Sequence, residues 1–172
     1  SATTDHPETS NKTSGSALMS SYDSLEEAIA TLIQNDSIIK SYFADQTVVI
    51  QEESSLTRAS FDTTDYIITV LSSLLDSDDP FARFQDELIT VKVYKAKRTP
   101  GEISVYPLDQ INRRIRHMLN RYGVVLFNAS QNTDSCFDIR WNPPDGPYTT
   151  DNSLNAIYRP LRFKGFLYSP VS

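Results

Sequence analysis

Leu25, Ala28, Ile29, Leu32 and Ile33 recur at i, i+3, i+4, i+7 and i+8, which is the spacing of one buried stripe along an α-helix. Ser24-Leu25-Glu26-Glu27 precedes the stripe and reads as a capping box: the Ser24 hydroxyl can accept a first-turn amide while Glu27 reaches back to the Ser24 N–H. Asn35-Asp36-Ser37 interrupts the pattern, and Ile38, Ile39, Tyr42 and Phe43 predict a further turn or two. Two short helices, or one kinked helix, are therefore expected over residues 25–43. Thr47–Gln51 is β-branched and predicts a short strand. Tyr66–Leu71 predicts a second strand, apolar at successive positions and so covered on both faces.

Leu88–Lys97 gives the cleanest strand signal. Ile89, Val91 and Val93 alternate with Thr90, Lys92 and Tyr94, so one face should enter the core and the other should carry positive charge outward. After the Thr99-Pro100-Gly101 turn, Leu108, Ile111, Ile115, Met118, Leu119 and Tyr122 make a second helical stripe. Pro107 suits its first turn, Asp109 and Arg121 suit the helix dipole, and Gly123 is the expected stop. Val124–Asn128, Cys136–Trp141 and Tyr158–Tyr168 predict three more strands. The order of elements is helix, then three strands, helix, then three strands. It predicts an α+β fold: a single mixed or antiparallel sheet with two main helices packed on one side.

Residues 1–20 are Ser/Thr-rich with nothing apolar but alanines before Leu18, so they read as a disordered N-terminal arm. They also lack the basic and apolar regions of a secretory signal. Residues 21–172 should form one domain, and 172 residues suffice for a core without disulfide or metal staples. No apolar run is long enough to span a bilayer, so no membrane partner is expected.

Charge changes the picture more than composition does. Residues 1–87 carry 16 Asp/Glu against 4 Lys/Arg, a net −12, whereas residues 88–121 carry 2 against 8, a net +6. Two complementary surfaces on one subunit can draw like subunits together. The candidate basic surface comprises Arg113, Arg114, Arg116 and Arg121 on the second helix and Lys92 on the strand. Its candidate partners are Asp76, Asp78, Asp79, Asp86 and Glu87 of a neighbouring subunit. Pairing of the same segments within one chain competes with this reading, as does phosphate contact by the Arg113–Arg121 face in a nucleic-acid-binding adaptor. The long segment 142–155, with Pro143, Pro144, Asp145, Tyr148 and Asp151, is a candidate partner-contact loop.

Catalytic chemistry is poorly supplied. His6 falls in the arm and His117 among arginines, and no Walker loop, Gly-x-Ser-x-Gly elbow or His-Glu-x-x-His helix is present. Asp76, Asp78 and Glu87 occupy three positions of a calcium-loop register, but Phe81 stands where that loop needs Gly. Cys136 reads as a small core residue. The expectation is a protein without cofactor or metal and without enzymatic activity.

The opening helix with Leu25, Ile29 and Ile33, the Asn35-Asp36 break, and then Ile39 and Phe43 resemble the start of the tail-completion or tail-terminator proteins of long-tailed bacteriophages. Asp65-Tyr66-Ile67-Ile68 resembles their second strand. The strand Leu88–Tyr94 followed by the Ile111, Ile115, Leu119 helix is similar to their central unit, and Tyr158–Lys164 to their closing strand. The resemblance covers about residues 25–168. It implies a virion protein forming a ring, usually a hexamer, that caps the tail tube, ends its polymerisation and joins it to the head–neck connector. The implied partners are further copies of itself, the tail tube protein and connector proteins, with genomic DNA passing through the lumen unread. Another neck or head-completion protein is the alternative within that class.

Overall fold

A computed structural model describes residues 22–75, 84–99 and 105–170. The proposed N-terminal arm and Asp76, Asp78 and Asp79 lie outside the described residues. Helices α1 (Leu25–Gln34), α2 (Ser37–Lys40) and α3 (Tyr106–Leu119) accompany seven strands. The strands are β1 (Tyr66–Leu74), β2 (Phe84–Ala96), β3 (Tyr122–Phe127), β4 (Asp134–Trp141), β5 (Thr149–Asp151), β6 (Ala156–Tyr158) and β7 (Pro160–Tyr168). The fold is α+β with one sheet, and every pair of named strands is antiparallel.

Across the sheet the strands run β1, β2, β7, β4, β3. The last strand in sequence therefore sits at the centre. The β5–β6 hairpin continues beside β2 beyond β7, and Lys92↔Pro160 and Lys95↔Ile157 keep one register across the join. β6 and β7 thus form one long strand interrupted at Arg159, next to Pro160, which has no N–H to donate.

The sheet buries one face under the helices. Ile89, Val91 and Val93 of β2, Leu161 and Phe163 of β7, and Cys136 and Ile139 of β4 share a core with Ile29 and Ile33 of α1 and Ile111, Ile115 and Leu119 of α3. The predicted helical stripes and the β2 alternation are thus observed, with Met118 half-buried at the margin.

Local details differ from the expectation in instructive ways. Ser24 does accept from the Glu27 amide (3.1 Å), but Glu27 Oε1 accepts from the amide of Asp23 (2.9 Å), one residue earlier than a capping box places it. Thr47–Gln51 is not a strand. It forms a single parallel bridge, Ile50↔Ile68, with Gln51 N–H donating to Ile68 O (3.1 Å) and Ile68 N–H to Val49 O (3.0 Å). Further along the same edge, Glu26 Oε2 accepts from Ser72 N–H at 2.7 Å. Edge amides of β1 are thereby occupied, which blunts that side of the sheet against pairing.

α3 ends at Leu119, and Arg121 rather than Gly123 takes the left-handed conformation (φ 65°), leading the chain directly into β3. Tyr94, expected to face outward, is buried with Phe61, Ile67, Ala96, Leu154 and Ala156 in a second, smaller core. That cluster forms where the 3-10 turns at Glu53–Ser55 and Arg58–Phe61 pass over the far face of the sheet. Two-sided cover on β1 holds for Tyr66–Thr69 and ends before Leu71, which is 51% exposed.

Candidate functional site

The arginines of α3 are held by acidic partners within the chain. Arg114 grips Asp36, the N-cap of α2, with two bonds (Nε–Oδ2 3.0 Å, Nη2–Oδ1 2.7 Å). Arg116 pairs with Asp145 at 2.9 Å and lies over the Trp141 ring, 4.7 Å from its centroid. Arg113 pairs with Asp109 one turn back at 3.0 Å, and Lys92 pairs with Glu53 at 3.1 Å. Arg121 is exposed, and its backbone amide donates to Ile139 O (2.6 Å). The acidic first half and the basic middle therefore meet inside one molecule at Asp36–Arg114 and Glu53–Lys92. These partners were not among the sequence candidates, because they depend on which elements become neighbours.

Asp86 and Glu87 are adjacent on β2 and face opposite ways. Asp86 is on the open side and pairs with Lys164 at 3.3 Å. Glu87 is buried on the helix side, 5% exposed, and its Oε1 has no hydrogen-bond partner among the described residues.

The segment from Asn142 to Asp151 is fastened at several points. Asp145 accepts from Trp141 Nε1 (2.8 Å) as well as from Arg116, Arg159 Nε donates to Gly146 O (2.8 Å), and Tyr148 Oη donates to Asp109 Oδ1 (3.1 Å). The Pro143–Pro144 bond is cis. Asp151 accepts from Ser153 and from the Leu154 amide and turns the chain between β5 and β6. Of the five loop candidates, Pro143 and Pro144 are exposed, while Asp145, Tyr148 and Asp151 are partly covered and hydrogen-bonded.

What the sequence did not announce is the open face of the sheet. Register places Phe84, Tyr168, Phe166, Phe137 and Val124 on the side away from the helices. Phe84 contacts Tyr168 (4.9 Å between centroids) and meets Phe137 edge-on (6.2 Å), and Phe137 lies 5.9 Å from Phe166. Among the described residues, seven large apolar side chains are exposed, and four of them, Leu71, Phe84, Val124 and Phe166, lie on this face. The alternation in β3, β4 and β7 was a usable signal: apolar residues on both parities there mean that the second face is apolar too.

Two carboxyl groups should respond to pH in opposite directions. Burial, helped by the nearby Glu26 charge and opposed by a hydrogen bond from Ser72, raises the Glu87 pKa above its ordinary 4.5. The folded state then holds this proton more tightly than the unfolded chain. The cost is present above the raised value and fades as pH falls toward the unfolded one. Glu87→Gln should therefore raise the melting temperature at pH 8 and do progressively less toward pH 4; a melting temperature lower than that of the unaltered chain at pH 8 would defeat this account.

Asp36 behaves conversely. The Arg114 hydrogen bond lowers its pKa below the ordinary 3.8 despite partial burial. Its stabilisation is present above about pH 4 and is lost as pH falls through the lower folded value.

Cys136 is fully buried in the core, and burial together with the Glu87 charge pushes its thiol up to about 12, which disfavours the reactive thiolate. His117 is exposed and sits with Arg113, Arg116, Asn120 and Trp141 around a shallow open cleft of about 500 Å³. Among the described residues there is no group of His, Cys, Asp and Glu able to hold a metal ion. No helix among them is long and apolar enough to cross a membrane.

By fold, the chain belongs to the α+β class with a single, mainly antiparallel sheet. No protein-family model, curated protein or solved structure matches it.

Proposed function

We propose that this chain is a structural assembly subunit and not an enzyme: a virion protein of the tail-terminator kind, forming a ring that caps a phage tail tube and joins it to the head–neck connector. The observation that supports an assembly role is the open sheet face, on which four of the seven exposed large apolar side chains among the described residues lie. Contiguous exposed apolar patches of a few hundred Å² often mark interaction sites. The ring and the tail are what the resemblance of Leu25–Phe43, Leu88–Tyr94 and Tyr158–Lys164 adds to that.

Phosphate binding by α3 is the weaker reading, because Arg113, Arg114 and Arg116 each already hold a carboxylate. Mass photometry with negative-stain imaging of the purified chain tests the proposal. Closed rings, hexameric or stacked in pairs, are expected. A chain that stays monomeric at micromolar concentration, and whose DNA affinity falls steeply with salt, would replace the ring with the adaptor reading.

A further inference from the structure

We infer that the open sheet face around Phe84, Phe137, Phe166 and Val124 is a docking surface for the same face of a second copy of this chain, related by a two-fold axis. The inference deepens the assembly reading by naming the contact, but a pair of this kind can form whether or not a ring does. In a ring it would be the surface on which one ring stacks on another.

The chain shows what it does with the same side of the sheet where it can reach. At the Tyr94 and Ala96 end, the 3-10 turns and Leu154 cover the sheet and bury Phe61 and Ile67. At the other end the aromatic cluster is left half open, with Phe84 60% and Val124 50% exposed. Nothing among the described residues covers it.

The rim identifies the occupant. Two ion pairs border the aromatics on the open face, Asp86–Lys164 at 3.3 Å and Asp138–Arg140 at 2.9 Å. All four side chains are 39–54% exposed. This part of the surface thus carries both signs in balance, although the chain as a whole is net −6. A strongly basic partner would find little to prefer here. An identical face offers complements, because the same patch presents both signs to its copy and a two-fold axis makes each such contact twice.

Size sets the strength. Four strands about 4.8 Å apart and some seven residues at about 3.3 Å rise give roughly 400 Å² in projection, against about 800 Å² of accessible surface per partner in a standard interface. A contact of this size falls at the small end of the range, where weak, reversible association is found, and two sheets packed face to face about 10 Å apart are its expected geometry.

Sedimentation velocity on the full chain over a concentration series tests this. The unaltered protein should shift from monomer to pair, or from single to stacked ring, as concentration rises. Phe84→Asp and, separately, Val124→Asp should each weaken that association at least tenfold, while Tyr106→Ala, at an exposed position on the helix side, should leave it unchanged. Asp86→Lys should weaken association and Asp86→Lys with Lys164→Asp should restore it.

Because an aspartate in a sheet can also disturb folding, hydrogen exchange of the unaltered chain at low and high concentration provides an independent reading. Protection gained on β3, β4 and β7 is expected. Protection gained only elsewhere, association indifferent to both aspartates, or no association at any concentration would overturn the inference. Rings that persist unstacked or stacked alike in Phe84→Asp would overturn this face and leave the ring standing. Pairs without rings would do the reverse.

Discussion

Ile115→Ala is expected to destabilise the fold by about 2–5 kcal/mol, the range for truncating a fully buried aliphatic side chain whose surroundings cannot close around the gap. Ile115 is 0% exposed and sits in the middle of the α3 stripe, in the same core as Ile89 and Val91 of β2 and Ile29 of α1. The α3 helix packs on β2, β4 and α2, so no single one can shift to fill the space without uncovering another. Denaturant unfolding at pH 7 checks the value. A loss below about 0.5 kcal/mol, the size of an ordinary surface change, would mean that α3 does not pack on the sheet as described.

Gly165→Ala is the second change with a large expected effect, and its direction is not obvious from sequence. In a strand, replacing Gly with Ala normally helps by about 0.5–1 kcal/mol, because the unfolded chain loses freedom. Here a Cβ would fall 2.7 Å from Cys136 Sγ and 3.2 Å from Ile139 Cγ1. Both neighbours are fully buried on β4 and cannot swing away. Overpacking of this kind costs about 1–3 kcal/mol, so a net loss is expected.

The diagnostic is the double variant. Cys136→Ala removes the sulfur that makes the closest approach, so Gly165→Ala should cost much less in the Cys136→Ala background, where only the 3.2 Å approach to Ile139 remains tight. That coupling should be read from a double-mutant cycle by thermal or denaturant unfolding. Strictly additive losses would show that the β4–β7 spacing is not what excludes a side chain at 165.

The elements that local spacing encodes were legible. Leu25 to Ile33 and Leu108 to Leu119 repeat at helical spacing, and Ile89, Val91 and Val93 alternate. Such periodicities are direct consequences of 3.6 and 2 residues per repeat, independent of what lies across the core. The α+β class follows from their order. The misplaced details are those decided by competition between neighbours. Thr47–Gln51 has strand-forming residues but meets only one edge position of β1. Arg121 took the left-handed turn expected near Gly123, because Arg121 N–H reaches Ile139 O and β3 must start at once.

By itself, then, the sequence determined the two helical stripes, the main strands, the role of Cys136 as a core residue and the division of charge between the first half and the middle. Only the tertiary structure decided which of these charges pair within the chain. Asp36 and Arg114 are 78 residues apart and meet because α2 docks on α3. It also decided that β7 occupies the centre of the sheet, that the 142–151 segment is tied to Arg116 and Arg159, and that one end of the sheet stays uncovered. The physical reason is the same in each case. Backbone periodicity fixes which side of its own strand or helix a residue occupies, whereas register and strand order, set by long-range burial, fix what that side faces.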